Sequence, residues 1–285
     1  MKIFLNAPNI ENIEKDVEEQ LFPDLLDGMW VSDKEEADIR IFDHSTWMDE
    51  DSPDLSKDIL ISLEIDEINI LKLLNKRPCW HLIGKSKNLI RELGETLKML
   101  QEKKFWTNKE AFGDYQENFR YEFTSSAQIK EKLDYVLNQL NFENYFKYPT
   151  DFIRLISNEL LMNAFYHGQG RKNRKENVEV KEDPIVFEVG ANERGILLRI
   201  IDFNGGFEYN KMLSSLIRGF KEKTPRQDTD GAGLGLYFVF NMGNQVIFNV
   251  TQNKGTEIIS IIEANKRYKH YMQRVSSLHY HLEKK

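Results

Sequence analysis

Three stretches of this 285-residue chain have residue types and spacings suited to chemistry. In "DFIRLISNELLMNAFYHGQG", Glu159, Asn163 and His167 stand four apart, so a carboxylate, an amide and an imidazole share one helix face. "RIIDFNGGF" is an apolar strand ending on Asp202, where Asn204 and two glycines let the backbone bend sharply before Phe207. "GAGLGLYFVF" sets glycines at 231, 233 and 235 directly before a helical pattern. Such a turn presents backbone N–H groups and the positive end of the helix dipole, which together bind phosphate. Each feature is common alone: a polar helix row is usually solvated surface, and tight turns take glycine for steric reasons. Their order along the chain makes them worth pursuing.

The elements that must position these residues follow from the pattern around them. Ile153, Ile156, Leu160 and Ala164 form an apolar stripe on the Glu159 helix, and Gly168 can stop it. "PIVFEVGAN" and "GILLRIIDF" read as two strands joined by the hairpin turn "NERG", so Asp202 ends a strand one connection downstream of the helix. A polar segment of about two dozen residues, "EYNKMLSSLIRGFKEKTPRQDTD", then leads to the glycine turn and reads as a long loop. Ahead of them stand a strand, "FRYEF", and a serine-capped helix, "SSAQIKEKLDYVLNQLNF".

The amino-terminal part alternates short apolar runs with helical spacing. "KIFL", "MWVS", "ADIRIF", "DILISL" and "CWHLIG" read as five strands; Ile10, Ile13, Val17 and Leu21 recur at helical intervals after the first. "IDEINILKLLNK" and "SKNLIRELGETLKMLQEKKF" read as further helices. Strands alternating with helices imply a doubly wound, mainly parallel sheet, whose functional groups sit at the carboxyl ends of its strands. Those ends carry Asn6, Asp43, Ser62 and Lys85.

By these residues, positions 1–105 resemble a response-regulator receiver domain of the flavodoxin-like fold. The resemblance implies Asp43 as phosphoacceptor, Ser62 as the hydroxyl of the fourth strand and Lys85 as the phosphoryl partner. The acidic pair that would hold Mg²⁺ after the first strand is replaced by "NAPN". Magnesium takes oxygen ligands, usually one or two carboxylates with water, so a degenerate receiver serving docking or dimerisation is the alternative. Residues 106–119 connect it to the next domain without a Gly/Ser-rich linker.

"NELLMNAFYHG", "DFNGG", "GAGLGL" and "NKGTEI", in that order, resemble the four ATP-binding boxes of the GHKL superfamily, the ATPase fold shared by histidine kinases, anti-sigma serine kinases, gyrase and heat-shock chaperones. The resemblance covers residues 120–264 and implies an α/β sandwich holding ATP under a mobile lid. It implies that Asp202 accepts the adenine amino group, with Thr256 beside it and Asn204 and Gly206 in the loop. Asn163 would coordinate Mg²⁺, with His167 on the same face, and Glu159 would be general base. Gly231, Gly233, Leu234 and Gly235 would cradle the phosphates, and Lys221, Lys223 and Arg226 would reach the γ-phosphate. No histidine lies between His81 and His167 to serve an autokinase, and about 20 residues follow the last box. The compact anti-sigma serine kinases are therefore the expected branch. A Ser/Thr kinase or a switch sequestering a partner such as a sigma factor is the leading expectation; a nucleotide-gated, non-catalytic scaffold is the alternative.

Composition excludes several other classes. Residues 1–70 carry 20 acidic and 5 basic residues, a net of −15 against −7 for the whole chain, which leaves +8 on the other 215. Without a concentrated basic face, direct nucleic-acid binding is not expected. A single cysteine, Cys79, precludes an internal disulfide and a four-cysteine zinc site, and suits the cytoplasm. No run of about 18 apolar residues is present, so neither a signal peptide nor a membrane span is expected. The basic end, 265–285, reads as a tail or solvated helix, with partner binding or a helix across a homodimer as alternatives. His279 and His281 stand too close for one helix face to pair them on a metal.

Overall fold

The computed structural model describes residues 1–10, 13–21, 30–49, 51, 54–62, 67–84, 86, 88–140, 150–166, 176–180, 182–222, 234–263 and 276–284. It is a mixed α/β structure in two units, Met1–Ala111 with Gln273–His279, and Phe112–Met272 with Tyr280–Lys285.

The first unit runs β1 (Ile3–Asn6), α1 (Ile13–Leu21), β2 (Trp30–Val31), a 3₁₀ turn (Lys34–Glu36), β3 (Ile39–Asp43), α2 (His44–Met48), β4 (Asp58–Ser62), α3 (Glu67–Lys76), β5 (His81–Gly84) and α4 (Leu89–Glu102). α5 (Asn108–Phe112) follows. The five strands are parallel in the order β2-β1-β3-β4-β5. β3 and β4 are buried along their whole length, as expected of strands covered on both faces. Ile41, Ile59, Ile61, Ile83, Val17, Leu93 and Leu97 make the core. Arg40 and Asp58, paired in register, put a buried bidentate ion pair of 2.6 and 2.8 Å among these apolar residues. The strand order reverses between β1 and β3, which places a crevice at their carboxyl ends.

The second unit runs β6 (Glu117–Phe123), a 3₁₀ turn (Ser126–Gln128), α6 (Ile129–Gln139), α7 (Thr150–Tyr166), β7 (Ile185–Asn192), β8 (Gly195–Asp202), α8 (Tyr209–Glu222), α9 (Gly235–Met242), β9 (Gln245–Thr251) and β10 (Gly255–Glu263). Its strands pair antiparallel in the order β9-β10-β8-β7-β6. α7 packs on β7 and β8, and α9 on β9, α7 and α8. Pleating turns Ile196, Leu198, Ile200 and Asp202 to one face of β8 and Arg199 to the other. On that other face Arg199 bridges Glu188 and Glu257 from the neighbouring strands.

Two sequence expectations are corrected here. Residues 209–222 are not loop: Tyr209, Met212, Leu213, Leu216 and Gly219 are buried at three- and four-residue intervals, the stripe of an amphipathic helix. The described part of the terminal segment, residues 276–284, is not a solvated helix either; 265–275 lie outside the described residues. Ser277–Glu283 forms β11, with Leu278 and Tyr280 buried. Its apolar residues, Leu278, Tyr280 and Leu282, recur at a period of two, which suits a strand. Leu278 and His279 pair antiparallel with Leu82 and His81 of β5, and the buried His279 Nε2 lies 2.9 Å from Glu92 Oε1.

Candidate functional site

α7 carries the first group of candidate residues. Ile153, Ile156, Leu160, Leu161 and Phe165 are buried and hold the helix on the sheet. Glu159 and Asn163 lie one turn apart, and Asn163 is largely buried. Gly235 opens α9 against this face: a Cβ there would run into the Glu159 carboxylate. This close approach brings the Glu159 side chain to the amino end of α9. Leu234, the residue preceding that helix, makes no side-chain cap, and the first N–H groups of α9 point out at the positive end of the helix dipole.

β8 delivers Asp202 to the edge of the same unit. Its Oδ1 accepts the Asn204 N–H at 3.0 Å, and the Gly205 N–H also donates to the carboxylate. Burial pushes the Asp202 carboxyl up to about 6, only partly offset by these two donors. Thr256, itself buried, faces Asp202 directly across the β8–β10 register. The loop beyond is folded onto the β9–β10 hairpin. Gly205 adopts φ 56°, and a Cβ there would strike the backbone of Thr251, Lys254 and Gly255. Asn204 does not adopt the left-handed conformation; Gly205 supplies it. A Cβ on Gly206 would meet open space. Phe207 stacks on Phe248 at 4.9 Å between centroids, and its carbonyl accepts the Tyr280 hydroxyl at 3.1 Å. That stacking explains the large aromatic immediately after two glycines: it anchors the loop that leaves Asp202.

The second unit therefore pairs Glu159 with Gly235, and Asp202 with Asn204 and Thr256. Lys221 is exposed in the last turn of α8. His167, Gly231, Gly233, Lys223 and Arg226 lie outside the described residues. Gly205 and α8 were not singled out by sequence; the stripe at 209, 212, 213 and 216 was the signal for the helix.

In the first unit, Asp43 is the N-cap of α2. Its Oδ1 accepts the Ser45 N–H at 2.9 Å, the Ser45 hydroxyl at 2.6 Å and the Thr46 N–H at 3.0 Å. Its Oδ2 accepts the backbone and side-chain N–H groups of Asn9 at 3.1 and 2.8 Å. Burial raises its pKa, but the donations from Ser45, Thr46 and Asn9 outweigh that and hold it at about 2. Asn9 belongs to the "NAPN" segment after β1, which thus reaches Asp43 through one residue. Ser62 is fully buried, and its hydroxyl has no hydrogen-bond partner among the described residues. Lys85 lies outside the described residues.

Among the described residues no group of three or more His, Cys, Asp or Glu side chains could hold a metal ion, and no helix is long and apolar enough to cross a membrane. No family model matches the chain, and a search of curated proteins returns no significant match.

Proposed function

We propose that the second unit binds Mg·ATP in the manner of the GHKL superfamily and transfers the γ-phosphoryl group to a Ser or Thr hydroxyl of a protein partner, as the anti-sigma-factor serine kinases do. The observation that carries the reading is Gly235 seated against Glu159, which sets a carboxylate beside the N–H groups at the start of a helix. A second, independent support is the buried Asp202 opposite Thr256.

Adenine offers an amino donor, and Asp202 is a buried acceptor whose Oδ1 already accepts the Asn204 N–H. An ionised carboxylate there selects a base that donates. Phosphates suit the amino end of α9, where backbone N–H groups and the helix dipole favour an anion. Asn163 offers one amide oxygen, which fits a magnesium ion held otherwise by phosphate oxygens and water. Bound Mg²⁺ supplies charge neutralisation for the transferring phosphoryl group. Glu159 takes the proton from the incoming hydroxyl as the oxygen attacks phosphorus and ADP leaves. Transfer of this kind depends on positioning and electrostatics more than on covalent chemistry, so few residues suffice.

The reading is tested with γ-labelled ATP, Mg²⁺ and a lysate of the host, which supplies the partner. An acid-stable phosphoprotein formed with the wild type and absent with Glu159→Gln is expected. Nucleotide binding by calorimetry should be the same for both proteins. Equal transfer by the variant would remove Glu159 as base, and no nucleotide binding by the wild type would remove the whole assignment.

For the first unit we propose a receiver-like module used for docking. The five-stranded parallel order supports the flavodoxin-like reading. Both Asp43 oxygens are committed to donors within the unit, which favours docking over phosphorylation. Should the second unit bind nucleotide without transfer, the whole chain is a nucleotide-gated scaffold.

A further inference from the structure

Ser62 ends β4 at the carboxyl edge of the parallel sheet, fully buried, with a hydroxyl that has no partner among the described residues. It lines a cavity of about 320 Å³ together with His44, Asn69, Ile70, Lys72, Leu73 and Lys76. Asp43 is not among these residues, although its neighbour His44 is. The volume lies at the lower end of the range for small-molecule sites, and carboxyl ends of parallel strands are where such sites form.

Four of the lining residues come from one face of α3. Asn69, Lys72, Leu73 and Lys76 fall at the i, i+3, i+4 and i+7 positions. Lys72 and Lys76 are therefore one turn apart on the cavity side, and neither ammonium has a carboxylate partner among the described residues. No carboxylate lines the cavity among those residues either. The two lysines follow directly on the strongly acidic residues 1–70, which carry a net charge of −15. Like charges at this spacing repel each other unless an anion lies between them. Ile70 and Leu73 add apolar wall, and Ser62 adds a hydroxyl that can donate.

We propose that this cavity binds a small phosphate monoester, its phosphate between Lys72 and Lys76 and within reach of Ser62, its organic body against Ile70 and Leu73. The site is independent of the nucleotide site proposed for the second unit. It offers the first unit an input other than phosphorylation of Asp43.

The test uses the full chain and phenyl phosphate as probe, followed by calorimetry at low salt. Saturable binding is expected, weakened at least tenfold in Lys72→Met/Lys76→Met and at least threefold in Ser62→Ala. Inorganic phosphate should bind more weakly than phenyl phosphate, because it cannot use the apolar wall. Saturating Mg·ATP should leave the binding unchanged. No saturable binding by the wild type overturns the proposal, as does undiminished binding by the double lysine variant or displacement by Mg·ATP. Ser62→Ala removes a hydroxyl that has no partner among the described residues, so its melting temperature should match or exceed that of the wild type. A large fall would show that the hydroxyl has a structural role and would also overturn the proposal. Nucleotide binding, measured on the same samples, fails or succeeds separately.

Discussion

Burial of Asp202 ties stability to the nucleotide recognition proposed for it. Its carboxyl titrates near 6 in the folded chain against an ordinary 3.8. Below about 4 it is neutral whether folded or unfolded and costs nothing. As pH rises through 6 the folded chain must hold a buried charge that the unfolded chain ionises freely, a penalty on the order of 3 kcal/mol. Asp202→Asn should therefore raise the apo melting temperature at pH 7.5 and change it little at pH 4. The same variant should lose adenine nucleotide: the Asn204 and Gly205 N–H groups would hold the amide oxygen and turn its NH₂ towards the base amino group. Wild-type affinity should itself fall as pH drops through 6, because protonation removes the charged acceptor. Melting curves and nucleotide titrations across this range check all three; flat affinity from pH 7.5 to 5 would separate Asp202 from the base.

At the scale of elements, two contacts govern how helices start. Gly235 begins α9 where any Cβ would meet the Glu159 carboxylate. In a free helix Gly→Ala stabilises by about 1 kcal/mol, whereas overpacking costs roughly 1–3 kcal/mol. Gly235→Ala is expected to destabilise and to weaken nucleotide binding; a gain in stability would mean that Glu159 moves aside without cost. Asp43 begins α2 by accepting donors from Ser45, Thr46 and Asn9. Asp43→Ala should cost about 1–2 kcal/mol, the usual worth of a lost cap. Because this pKa is depressed to about 2, the carboxylate's contribution is present above about 4 and lost as pH falls towards 2. The wild type should accordingly lose its advantage over Asp43→Ala in acid melts. An unchanged difference down to pH 2 would contradict the cap assignment.

At the scale of the whole molecule, the chain returns after its second unit to add β11. Ser277–His279 belong with the first unit, where Leu278 pairs with Leu82 and His279 meets Glu92. Tyr280 onwards belongs with the second, where the Tyr280 hydroxyl donates to the Phe207 carbonyl. A chain ending at Met272 should thus lose stability in both units. Burial of Leu278 and Tyr280 alone contributes roughly 3 kcal/mol or more. Such a chain should also leave Glu92 buried without its histidine and the loop after Asp202 without an anchor. Denaturant unfolding would reveal this as a lower midpoint, and nucleotide affinity should fall with it. A truncated chain as stable as the full one would show β11 to be dispensable.

The local patterns determined by themselves most of what is regular here. Apolar runs marked β1, β3, β4, β5, β7 and β8, and helical stripes marked α3, α4, α6 and α7, because period and apolarity are properties of neighbouring residues. The strand end at Asp202 and the shared face of Glu159 and Asn163 were legible for the same reason. α8 was equally legible in principle, but its exposed charges made it read as loop. What only the tertiary structure decided involves residues distant in sequence. Asn9 reaching Asp43, Gly235 against Glu159, Gly205 rather than Asn204 taking the left-handed turn, and Ser62 sharing a cavity with α3 all depend on how separate elements meet. The change of the terminal segment from expected helix to strand belongs with them. A strand is completed by a partner edge, and β5, which pairs with β11, lies nearly two hundred residues earlier in the chain.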